Sequence, residues 1–132
     1  MLALLPLSAW PDIYQPAAGT PERAAIMDAA RVPICDAIGL PVIFLVSVLQ
    51  SDRRYAYFQA IPQNSDGTAI NWKVTLLAEY WAQGIKSDTA MVLLERQGKG
   101  WMVLDWVMGP TDVYWIGRMN DYRLPEGFFR GD

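Results

Sequence analysis

Two pairs of β-rich runs, each closed around a short turn, constrain this chain more than anything else in it. Val42 to Gln50 reads Val-Ile-Phe-Leu-Val-Ser-Val-Leu-Gln, β-branched and aromatic, too short and too uninterrupted for an amphipathic helix. After Ser51, Asp52 and Arg53 the segment Arg54 to Ile61 returns as a second strand, so the link predicts a hairpin. Thr89 to Arg96 and Trp101 to Met108 flank Gln97-Gly98-Lys99-Gly100, whose glycines permit the positive φ of a tight turn, and predict a second hairpin. Pro62 to Gly67, containing Asn-Ser-Asp-Gly, reads as a loop.

The segments around the hairpins carry helix signals. Residues 11 to 20 hold two prolines, a glycine and no period, and read as an extended lead-in. Thr20 suits an N-cap, Pro21 the first helical position, and Glu22 the positive end of the helix dipole. Ala25, Ile26, Ala29, Ala30 and Val32 give one apolar face, while Asp28 and Arg31 stand three apart on the other. Pro33 predicts a break or kink near Val32, with a second short piece running to Ile38 and stopped by Gly39. Between the hairpins Leu76, Leu77, Tyr80 and Trp81 predict a short linking helix ended by Gly84. Gly109-Pro110-Thr111-Asp112 caps a last helix from Val113 to about Tyr122, which Pro125 prevents from continuing.

The sum is an α+β domain over residues 19–132: a four-stranded antiparallel sheet, two hairpins in meander order, with a broken N-terminal helix, a short linking helix and a C-terminal helix covering one face. Barrel-like closure of the same strands is the alternative. At 132 residues the chain is long enough for one core burying roughly two thirds of its unfolded surface, so it needs no staples. Met1 to Trp10 is apolar but about half a bilayer span, which excludes a transmembrane helix there. Leu7-Ser8-Ala9 resembles a leader-cleavage site, yet no Lys or Arg precedes Arg23, so residues 1–18 are either the remnant of a signal segment or a packed N-terminal arm.

Composition closes off familiar chemistry. There is no histidine, which removes Ser-His-Asp and Cys-His nucleophiles and histidine-ligated zinc or haem. Cys35 is the single cysteine, so it forms no internal disulfide or multi-thiolate site and reads as a small buried apolar group. A net charge of -3, with Arg53-Arg54 as the nearest thing to a basic cluster, argues against a nucleic-acid partner. No phosphate-binding glycine loop or calcium-loop spacing occurs, and no cofactor or metal is expected.

The run Gly19-Thr20-Pro21-Glu22-Arg23-Ala24-Ala25-Ile26-Met27-Asp28-Ala29-Ala30-Arg31, then Gly39-Leu40-Pro41-Val42-Ile43-Phe44, Gly100-Trp101-Met102-Val103 and Gly109-Pro110-Thr111-Asp112-Val113-Tyr114-Trp115, resembles a group of small bacterial proteins without an assigned activity, many of which carry export signals. The likeness spans roughly residues 19 to 129 and implies a periplasmic or secreted protein; it carries over no catalytic residue. The order of elements is also similar to cystatin-like and nuclear-transport-factor-like folds, where helices pack in the concave side of a curved antiparallel sheet. Function does not follow from that pattern.

Among candidate site residues Asp105 stands out, mid-strand and by period 2 on the face of Trp101, Val103 and Val107. If that face lines a pocket Asp105 is a candidate general base, with Tyr57, Tyr80 and Trp106 available as donors to an oxyanion. Otherwise it is a carboxylate on a solvated or edge position, or one paired with Arg54 or Arg96 across the strands. Tyr114 and Trp115 are adjacent on one helix, about 100° apart, so one of them is expected to stand exposed as an interface anchor. Thr111 and Asp112 are explained by capping, and Lys73 and Glu79 by a solvated face. Three functions follow: a non-enzymatic module binding a protein partner or a second copy, of inhibitor or immunity type; a small-molecule binder with a pocket between sheet and helices; or a lyase or isomerase working through carboxylates.

Overall fold

The structure, a computed structural model, describes residues 13–83, 87–109 and 111–130, without the side chains of 111–113. The apolar segment Met1 to Trp10, Asp12 and the capping side chains of Thr111 and Asp112 lie outside what is described.

One antiparallel sheet runs in the order β1-β2-β3-β4, built from β1 (Val42–Ser51), β2 (Tyr55–Asn64), β3 (Ala90–Gln97) and β4 (Gly100–Met108). These are the two expected hairpins joined as a meander. The bounds differ from expectation chiefly in β2, which continues through Pro62 instead of ending at Ile61. Pro62 pairs with Phe44 of β1 but lies beyond Ala60, where the pairing of β2 with β3 stops. Its missing N–H therefore removes no bond to β3.

β3 is enclosed from both sides: Ala90, Met91, Val92, Leu93 and Leu94 are all 0% exposed. Ala90, Val92 and Leu94 share one cluster with Ala56, Phe58 and Ala60, and Met91 and Leu93 join Tyr55 and Tyr57 in another. Helices consequently lie on both faces, which corrects the expectation that they cover one. The first face takes α1 (Pro21–Ile38) and α2 (Ala78–Ala82), the latter preceded by a 3-10 turn whose Trp72 stacks on Trp81 with centroids 5.4 Å apart. The second takes α3 (Thr111–Tyr122) and α4 (Glu126–Arg130). α4 was not expected; it begins just after Pro125 and buries Phe128 and Phe129.

α1 starts and stops where its sequence says. Thr20 Oγ1 accepts from the Arg23 N–H at 3.3 Å, Pro21 opens the first turn, and the Gly39 N–H donates to the Cys35 carbonyl at 2.8 Å from a left-handed φ of 88°. Pro33 does not break it. An internal proline costs about 3 kcal/mol. Continuing the helix buries Ile34 and Ile38 completely on the stripe of Ile26 and Ala30, at about 1.5–3 kcal/mol for each isoleucine, so continuation wins.

Turn chemistry fixes the first hairpin. Ser51 Oγ and Asp52 Oδ1 accept from the N–H groups of Arg53, Arg54 and Tyr55 at 2.7–3.1 Å, holding Arg53 at a φ of 77°. Both edge strands also carry a bulge. β1 slips at Ser47, between Val46 and Val48, and β4 has Leu104 as an extra residue between Val103, opposite Leu94, and Asp105, opposite Leu93.

Gly39 has two reasons to be glycine: its positive φ, and the Leu76 Cγ that would lie 2.7 Å from an added Cβ. Gly39→Ala should lower stability by about 1–2 kcal/mol, seen as a lower denaturant midpoint at unchanged slope.

Candidate functional site

The Leu104 bulge decides what the end of β4 faces. A regular strand would keep Asp105 on the side of Trp101 and Val103, both packed against the α1 cluster. With one extra residue the phase reverses, and Asp105 and Val107 stand opposite Leu93 and Met91, on the α3 side. The expected grouping of Asp105 with Trp101 and Val103 is thus corrected, while its grouping with Val107 holds.

Across from Asp105, α3 places Tyr114 and Arg118 four residues apart on one helix face. Arg118 Nη1 donates to Asp105 Oδ2, and Nη2 is ion-paired with Asp121 Oδ2 at 3.0 Å. The guanidinium carbon lies 5.3 Å from the centroid of the Tyr114 ring. Asp105 is therefore paired, but with neither arginine expected for it: Arg54 reaches Glu95 at 3.4 Å and Arg96 reaches Glu22 at 3.3 Å. Between β4 and α3 opens a cleft of about 350 Å³ lined by Met91, Asp105, Trp106, Val107, Met108, Gly109, Tyr114 and Arg118. Among the described residues the buried side-chain polar atoms with no hydrogen-bond partner are the Tyr114 hydroxyl and Arg118 Nε, and both side chains line this cleft.

Beneath the cleft a second tyrosine is fully satisfied. Tyr57, with no exposed surface, donates its hydroxyl proton to Gln59 Oε1 at 2.8 Å and accepts from the Trp115 indole N–H at 3.1 Å. Its ring stacks on Tyr114 with centroids 6.1 Å apart and meets Phe129 edge-on at 4.8 Å. Neither Tyr114 nor Trp115 stands exposed, contrary to expectation: Tyr114 is buried and Trp115 half-buried in the same cluster. The roughly 100° between them is absorbed because α3 lies over a broad aromatic face, where Tyr114 stacks on the Tyr57 ring and Trp115 reaches the Tyr57 hydroxyl.

No family model, curated protein or solved structure matches this chain. The geometry alone therefore carries the functional reading.

The remaining expected site residues fall on the other side of β4. Tyr80 is the exposed aromatic among the described residues, and its hydroxyl donates to the Met108 carbonyl at 3.0 Å. It lines a smaller, apolar hollow of about 210 Å³ with Leu77, Trp106, Val107 and Met108. Trp106 borders both hollows, so the structure brings together Asp105, Trp106 and Tyr114, sets Tyr57 and Trp115 behind them, and places Tyr80 across the strand. Arg118 was missed. Its position four after Tyr114 and three before Asp121 was the available signal.

Burial raises the Tyr57 and Tyr114 hydroxyl pKa values above the ordinary 10.0, with the Asp105 charge a further cause at Tyr114 and the Trp115 bond a smaller opposing one at Tyr57. The folded chain keeps protons that the unfolded chain releases. Their contribution to stability is complete below about pH 10 and declines as pH rises beyond it. In an alkaline titration followed by tyrosinate absorbance, these two residues should ionise only together with loss of near-ultraviolet dichroism.

Proposed function

We propose that this chain is a binding domain for a small molecule held in the cleft between β4 and α3. The observation that carries this reading is the Tyr114 hydroxyl, on a side chain only 8% exposed, without a partner and beside an equally unpartnered Arg118 Nε. A buried polar group left unmatched costs about 1–3 kcal/mol, and two such groups at one hollow are what a ligand oxygen would relieve. The cleft's volume of about 350 Å³ lies within the range of ligand pockets. In this reading Asp105 anchors the guanidinium instead of acting as a general base.

A second reading, an interaction module, has one observation in its favour. Ile43 and Leu45, 36% and 54% exposed, stand beside half-buried Ile61 on the part of the α3 and α4 face that those helices leave open. If that strip joins two copies, sedimentation will show concentration-dependent association that Leu45→Lys removes. Among the described residues no helix is long and apolar enough to cross a membrane.

The small-molecule reading is tested by titrating benzene-sized fragments into isotope-labelled protein. Amide shifts should concentrate at 105–109 and 114–118 and spare the Trp72–Trp81 stack. A fragment collection that moves none of the cleft amides would overturn it.

A further inference from the structure

Resting on that reading of the cleft, we propose that its ligand is uncharged and offers a carbonyl or similar oxygen acceptor on an apolar body, and that Asp105 and Asp121 exclude anions. An arginine in a cleft usually suggests a carboxylate or phosphate, held by two parallel N–H groups of the guanidinium. Here both terminal nitrogens already face a carboxylate, Nη1 bonded to Asp105 and Nη2 ion-paired with Asp121. Two carboxylates against one guanidinium leave this cluster with one net negative charge, so an incoming anion meets repulsion and a guanidinium charge already matched.

The buried polar atoms left here with no partner at all are the Arg118 Nε–H, a donor only, and the Tyr114 hydroxyl. The guanidinium lies over the Tyr114 ring, so the two groups share one wall of the cleft. The facing wall is Met91, Val107 and Met108, which is apolar. A neutral oxygen acceptor satisfies the donors and an apolar body fills the remainder. An ammonium brings no acceptor for Nε–H. A pure hydrocarbon leaves both polar groups unpaired, and a site built to hydrogen-bond discriminates strongly against such an analogue.

The test is a matched series of one shape and four charges or polarities, benzamide, benzoate, benzylamine and toluene, titrated into the intact chain with affinities read from the cleft amides. Benzamide should bind about tenfold or more tightly than the other three, a factor equal to one well-made hydrogen bond. Tyr114→Phe should weaken benzamide about tenfold while leaving toluene unchanged, since only a hydroxyl is removed. Asp121→Asn is the companion variant, because Asp121's side chain is 56% exposed and the fold does not depend on it. It removes the carboxylate charge beside Nη2, and should move the benzoate-to-benzamide ratio up by about fivefold or more. Benzoate matching or exceeding benzamide in the unaltered protein would overturn the inference and leave the cleft as a site. Toluene matching benzamide would do the same, showing that water already serves the two donors. If no member of the series moves a cleft amide, the site reading itself falls, and this inference with it.

Discussion

Five consecutive residues of β3, Ala90 to Leu94, have no contact with solvent, so apolar cover is required on both faces of the sheet at the same point in the chain. Antiparallel sheets commonly leave one face wet, and this one does not at its centre. The two faces solve the demand differently. On the α1 side the middle of the sheet presents small residues, Ala56, Ala60 and Ala90, in one cluster with Ala30 and the isoleucines of the helix. On the other side the strands present Tyr55, Tyr57, Met91 and Leu93, and the cover is correspondingly aromatic, drawn from α3 and from the two phenylalanines of α4. Gln50 ties that last helix down, its Nε2 donating to the Gly127 carbonyl at 3.1 Å.

Burying tyrosines at such an interface brings hydroxyls with them, and each hydroxyl needs a partner. Tyr57 has two, from Gln59 and Trp115. Tyr114, stacked on the same ring one layer out, has none among the described residues. The contrast between two neighbouring tyrosines, one saturated and one vacant, distinguishes packing from recognition here, because nothing in the stacking required the outer one to carry oxygen. A phenylalanine would have packed as well.

What was legible in the sequence was what neighbours along the chain decide. The hairpins follow from β-branched runs around Ser51–Arg53 and Gln97–Gly100, and the ends of α1 from Thr20, Pro21 and Gly39; each is settled within one turn of chain. What failed depended on distant residues. Pro33 looks like a terminator until Ile34 and Ile38 are seen to need the sheet. α4 has too few residues for a period, and its existence rests on burial of Phe128 and Phe129. Asp105 could be singled out, but its direction could not, since a bulge is a property of two paired strands. Arg118 shares a helix face with Tyr114 in any helical reading; that it closes on Asp105 needed the tertiary fold.

The extra residue at Leu104 also separates the site from the core by count alone. Val103 and everything before it in β4 obey one phase, and Asp105 to Met108 obey the other. The same residues paired without the bulge would set Leu104 opposite Leu93, turning Asp105 under α1 and Trp106 toward Arg118. The cleft is thus written in how β4 pairs with β3 as much as in its residues. Pairing that absorbed the bulge while keeping every one of these residues would keep the sheet and lose the site.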